Sequence, residues 1–127
     1  NLVKQIENYA QGKEGYIVQV IGHTDGQKNN RFQVSNLDNL LEKVALGNDN
    51  ISNLTPSSNA DLGLMRALAV VKELEKNPRL KQLGLKFRAY SAAQLYLPSG
   101  EYARVQRYSD PQRRRIEIRF SPPAEKK

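Results

Sequence analysis

The chain contains no cysteine, no tryptophan, one methionine and one histidine. Without cysteine there is no disulfide framework, no thiolate metal site and no cysteine nucleophile. His23 has no second histidine to share a metal, so a zinc site is not expected. Its imidazole is expected to hydrogen-bond within its own turn. No apolar run approaches the roughly 18 residues that a membrane span requires. No signal-peptide pattern is present and the first residues already read as helix, so the chain is expected to be a piece of a longer protein. Catalytic patterns are missing too. No serine sits on a nucleophile elbow, His23 and Asp25 are too close in sequence for a triad, and Asp25 has no second carboxylate to face as in a glycosidase. A non-enzyme that needs no cofactor is therefore expected.

What is present is the composition of an ordinary globular domain. The 127 residues suit one domain, 39% are hydrophobic, and the net charge is +7. The positive balance is read either as a match to an anionic partner, with nucleic acid, acidic lipid and acidic polymer as the usual candidates, or as a charge that serves solubility alone.

Periodicity divides the chain into elements. Residues 2 to 10 carry apolar side chains at 2, 3, 6 and 10, which is helical spacing. "YIVQVIGH" from Tyr16 reads as a strand covered on both faces. Residues 26 to 58 are polar and uneven, with asparagine at 29, 30, 36, 39, 48, 50 and 53. Within them "VSNLDNLLEKVAL", 34 to 46, forms a short amphipathic helix. Residues 59 to 76 form the clearest helix, with Leu64, Ala67, Leu68, Val71 and Leu74 as its core stripe, Ser58 as N-cap and Asp61 three residues on. Asn77-Pro78 ends it. "LKFRAYSA" from Leu85 is a second strand, 95 to 112 a long loop, and "RRRIEIRF", 113 to 120, a third strand. Its alternation puts Arg114, Ile116, Ile118 and Phe120 on one face and Arg113, Arg115, Glu117 and Arg119 on the other. The tail from 122 to 127 reads as a disordered end. The order of elements implies an α/β fold of the α+β sandwich kind, a small mixed sheet covered on one side by helices.

Three polar blocks interrupt this framework. The first strand ends in Gly22-His23-Thr24-Asp25-Gly26, although a turn needs only the glycines. On the long helix Asn59, Leu62 and Arg66 share a face, the outer two about 10 Å apart. Arg114 falls on the apolar face of its strand, where an arginine is costly unless paired or at a rim.

"GHTDGQ", "NADLGLMRA" and "RRRIEI", in that order, resemble the OmpA-like C-terminal domain family, which includes MotB-type stators and the peptidoglycan-associated lipoprotein. The family pattern is a G-H-T-D turn, an N-x-x-L-S-x-x-R-A helix start and an N-R-R-V-E-I last strand. Gly22 to Asp25 match the first; Asn59, Leu62, Arg66 and Ala67 match the second, with Gly63 for serine. Arg114, Arg115, Glu117 and Ile118 match the third, with Arg113 for asparagine and Ile116 for valine. The resemblance covers about residues 2 to 121.

It implies a non-catalytic anchor in the periplasm of a Gram-negative envelope, part of a membrane-anchored parent: a stator, an outer-membrane protein or a lipoprotein. It implies that the domain holds peptidoglycan by the diaminopimelate of the peptide stem. Asp25 would meet the ligand's ammonium and Arg66 its carboxylate, within a site of Asp25, Arg66, Asn59, Thr24, Leu62 and Arg114. A homodimer through such domains is also implied by the stator type. Two features depart from the family: residues 26 to 58 form a much longer insertion than usual, and the strand that should precede the first helix is missing. The insertion is expected to pack beside the Asp25 turn as a lid or as a dimer surface. The other reading is a basic nucleic-acid-binding α/β module, suggested by the arginine triplet and by tyrosines at 9, 16, 90, 96, 102 and 108. Strand alternation splits that triplet across two faces, so no nucleic-acid partner is expected.

Overall fold

A computed structural model describes residues 1 to 29 and 34 to 123. The elements in order are α1 (Leu2–Tyr9), β1 (Ile17–His23), α2 (Leu37–Ala45), a short 3-10 turn (Ile51–Asn53), α3 (Asn59–Glu75), α4 (Pro78–Gln82), β2 (Lys86–Ala93) and β3 (Arg115–Ser121). The strands form one mixed sheet in the order β2-β1-β3, with β1 parallel to β2 and antiparallel to β3. With helices packed against that sheet, this is the expected α+β sandwich. The tail at 124 to 127 lies outside the described residues. No helix among the described residues is long and apolar enough to cross a membrane.

Register fixes what each face carries. Val18, Phe87 and Phe120 stand side by side, as do Val20, Ala89 and Ile118, and Gly22, Ser91 and Ile116. These rows face the helices. Val18, Val20 and Phe87 are buried in one cluster with Ile6, Ala10, Ala67, Val71, Leu74, Leu80 and Leu85. The opposite face carries Ile17, Gln19 and Ile21 on β1, all only half-buried. The central strand is thus covered on one face rather than both, because the helices all pack on the same side. α4 was not expected from the sequence. Asn77 accepts hydrogen bonds from the N–H groups of Arg79 and Leu80, and Pro78 occupies the first helical position, so the pair that stops α3 also starts a helix.

The helix in the insertion is shorter than expected. α2 begins at Leu37, and Val34 is 90% exposed before it. Its apolar face does not form a lid or a free dimer surface. Leu37 and Val44 are buried with Leu54 and Leu68, and Leu40, Leu41, Leu64 and Met65 pack around them. Each buried side chain of this size contributes roughly 1.5–3 kcal/mol, so α2 is an integral second core beside α3. The asparagines build its connections. Asn36 donates to Asn53 O and accepts from Thr55 N–H, closing the loop, while Asn50 accepts from Ser52 N–H to start the 3-10 turn.

Strand order also fixes the path of the 94–114 segment. It must cross from one edge strand to the other over the end of β1, and so passes above His23 to Gly26.

Candidate ligand-binding site

α3 approaches β1 unusually closely where the strand ends. A Cβ on Gly22 would stand 1.9 Å from Gly63 O, and a Cβ on Gly63 would stand 2.5 Å from Ser91 Oγ and 2.8 Å from Gly22 O. Neither position has room for a side chain, which accounts physically for glycine at 63. The approach brings the first two turns of α3 against the turn after β1. Ser58 Oγ accepts from Asp61 N–H at 3.1 Å, as expected of the N-cap. The Asp61 carboxylate reaches one residue further back than a capping box requires and accepts from Ser57 N–H.

Beyond β1 the chain is held by its own polar groups. The register between β1 and β2 shifts after Gly22, and Ala93 adopts φ 51°, a left-handed conformation rare for alanine. Its carbonyl accepts from Thr24 N–H at 2.9 Å. Asp25 is 5% exposed. Its Oδ1 accepts from Gln27 N–H at 3.1 Å, and its Oδ2 from Asp110 N–H at 2.9 Å and Arg114 Nη1 at 2.8 Å. Burial by itself raises the Asp25 carboxyl; the Asp110 N–H, the Arg114 guanidinium and the Gln27 N–H outweigh it and hold the group below its ordinary value. Gly26 is equally constrained. A Cβ there would meet Gln106 O at 1.7 Å, and Gly26 O accepts from Arg107.

Thr24, Asp25, Asn59, Leu62, Arg66 and Arg114 all line one cleft of about 300 Å³, together with Gln27, Lys28 and Asn29. Their parts differ. Thr24 is 1% exposed, and its hydroxyl donates to Asp25 O, so it shapes the turn. Asn59 Nδ2 donates to Gln27 O at 3.1 Å and ties α3 to the turn. Arg66 is exposed and has no hydrogen bond or ion pair among the described residues. Arg114 precedes β3, which begins at Arg115 instead of Arg113, and its guanidinium turns toward Asp25 and Ser109.

Two expectations are corrected. His23 hydrogen-bonds Glu117 across the sheet at 2.8 Å, not its own turn, because its side chain points to the sheet face away from the cleft. Arg113, expected on an exposed strand face, is 2% exposed in the turn before β3 and donates to Gln94 O at 2.9 Å. Periodicity cannot reach a residue outside the strand. Gln27, Lys28, Arg107 and Asp110 were not foreseen as part of the site. The only signals were the turn chemistry of Asp110-Pro111 and the glycine at 26.

Electrostatically, Asp25 and Arg114 neutralise each other, which leaves Arg66 and Lys28 as the cations at the mouth among the described residues. A carboxylate offers about four lone-pair positions. Among the described residues Asp25 uses three, so Oδ1 keeps one acceptor position. The cleft can therefore accept a hydrogen bond from a cation and face an anion with a guanidinium. Comparison with protein-family models, with curated proteins and with solved structures yields no match for this chain.

Proposed function

We propose that this chain is a non-catalytic peptidoglycan-binding domain of the OmpA-like kind. It grips the diaminopimelate of the cell-wall peptide stem and tethers a membrane-anchored parent in the periplasm. One observation carries the reading: the six residues that the resemblance implies, from three separate stretches of sequence, line a single cleft. A volume near 300 Å³ suits the end of an amino-acid side chain. Diaminopimelate ends in an ammonium and a carboxylate on one carbon. The ammonium donates to the remaining acceptor position of Asp25, and Arg66 takes the carboxylate, bidentately if the fork aligns.

Arg66 gives the clean test, because its side chain makes no hydrogen bond or ion pair among the described residues. Pull-down by purified sacculi should weaken at least 30-fold in Arg66→Ala, with an unchanged unfolding transition. Free diaminopimelate should compete with the wild type. A folded Arg66→Ala variant that binds sacculi at wild-type strength overturns the reading. So does binding that ignores diaminopimelate and falls steeply with salt, which marks a nucleic-acid module.

A further inference from the structure

The net charge of +7 is unevenly distributed. Residues 86 to 119 hold eight of the 20 Lys and Arg but three of the 13 Asp and Glu, which places five of the seven net charges in β2, β3 and the segment between them. Register then sorts the charges within the strands. Lys86 and Arg88 on β2, and Arg115, Glu117 and Arg119 on β3, fall on the face opposite the helices, with Gln19 of β1 paired to both Arg88 and Arg119. Among the described residues Lys86, Arg88 and Arg115 form no ion pair. Arg88 donates to Phe87 O and Arg115 to Leu97 O. Glu117 is held by His23 and Arg119. Burial raises its carboxyl, but those two partners outweigh it and keep the group below its ordinary value. Glu117 thus compensates Arg119, and three cations of this face stay uncompensated.

We propose that this open sheet face docks on an anionic lipid surface. Charge complementarity selects an anionic partner, and the remaining side chains select lipid. Tyr90, 45% exposed, follows Arg88 on this face and pairs with half-buried Ile21, while half-buried Ile17 pairs with Lys86 further along the strand. Tyr102, 75% exposed, rides on the hairpin pinned over one end of the face by the Arg115–Leu97 hydrogen bond. Tyrosines and long cationic stems suit the boundary between headgroups and acyl chains. A single-stranded nucleic acid prefers successive open aromatic platforms; the strands present Tyr90 alone on this face, and Tyr96 and Tyr102 of the hairpin pack on each other with ring centroids 5.1 Å apart. A lipid surface also imposes no spacing on its phosphates, which fits cations spread over two edge strands. The Asp25 cleft lies on the helix side, at the start of α3, so a domain resting on its sheet presents the cleft away from the membrane. The proposal does not depend on what the cleft binds.

The test is flotation with vesicles of phosphatidylcholine alone and of phosphatidylcholine with 30% phosphatidylglycerol, about a level at which surface potential attracts basic segments. Wild type should float with the anionic vesicles only, and less so as salt rises. Each Lys or Arg near such a surface changes affinity about fivefold, so Lys86→Gln with Arg88→Gln should weaken binding about 25-fold. Lys4→Gln with Lys43→Gln, on the helix side, removes the same net charge and should weaken it less than threefold. Tyr90→Ser should weaken vesicle binding without changing its salt dependence. Equal losses in the two charge pairs overturn the proposal, since net charge alone would then explain binding. Vesicle binding unchanged by Lys86→Gln with Arg88→Gln also overturns it, as does tight binding of a uridine oligonucleotide without vesicle binding.

Discussion

Arg114 donates to Asp25 Oδ2 at 2.8 Å, and the backbone N–H of Asp110 shares the same oxygen. One carboxylate thus joins the end of the central strand, the crossing loop and the approach to β3. Asp25 is both a wall of the cleft and the clamp that closes it. Its replacement is therefore expected to loosen the fold as well as the site. Asp25→Asn should lower stability by about 2 kcal/mol at pH 7, the scale of lost hydrogen bonds to a charged group.

The same contacts set a pH dependence. Asp25 titrates below its ordinary 3.8 in the folded chain. A depressed carboxyl contributes stability that is fully present above the unfolded value and is lost as pH falls through the folded one. Wild type should weaken on acidification below about pH 4, and the gap to Asp25→Asn should narrow there. Urea unfolding at pH 7 and pH 3 measures both; a constant gap would show that the carboxylate's charge is not what the contacts stabilise.

Gly22 and Gly63 are expected to tolerate nothing larger. Gly22→Ala places a methyl 1.9 Å from a backbone carbonyl, so helix and sheet must separate. A loss of about 3 kcal/mol is expected, at the upper end for overpacking. Gly63→Ser should be destabilising as well, and Ser91→Gly should recover part of that loss, because Ser91 Oγ is the nearest atom a Cβ would meet. Thermal unfolding of the two singles and the double tests this coupling.

Arg113 yields opposite expectations for two substitutions. Its guanidinium is buried with one hydrogen bond, and Nε and Nη1 have no partner among the described residues. Arg113→Ala should cost about 2 kcal/mol by leaving a void. Arg113→Met keeps the aliphatic stem and removes the buried charge, so its stability should equal or exceed that of the wild type. Denaturant midpoints decide, and equal losses in both variants would mean that the guanidinium itself is required.

The insertion should behave as core. Replacing residues 34 to 55 with a short Gly-Ser linker exposes Leu64, Met65 and Leu68, which α2 now covers. A drop in stability and concentration-dependent association by light scattering are expected. A monomer of wild-type stability would show that α2 adds nothing to the core.

Local pattern was enough to place the long elements. The 3.6-residue stripe of α3, the alternation of β3 and the apolar β1 each bury one face, and the gain from removing apolar area from water is one that each side chain contributes locally. The same holds for the cleft's outline, since Asn59, Leu62 and Arg66 share a helical face whatever α3 packs on. Tertiary structure decided the rest. The order β2-β1-β3 sends the crossing loop over the end of β1, and only that path delivers the Asp110 N–H and Arg114 to Asp25. It also buries Arg113 one residue from an exposed Arg114, a contrast set by where the strand begins. The apolar face of α2 could be read from its spacing, but its partner on α3 could not. A stripe states that a face must be covered; which surface covers it depends on contacts far apart in the chain.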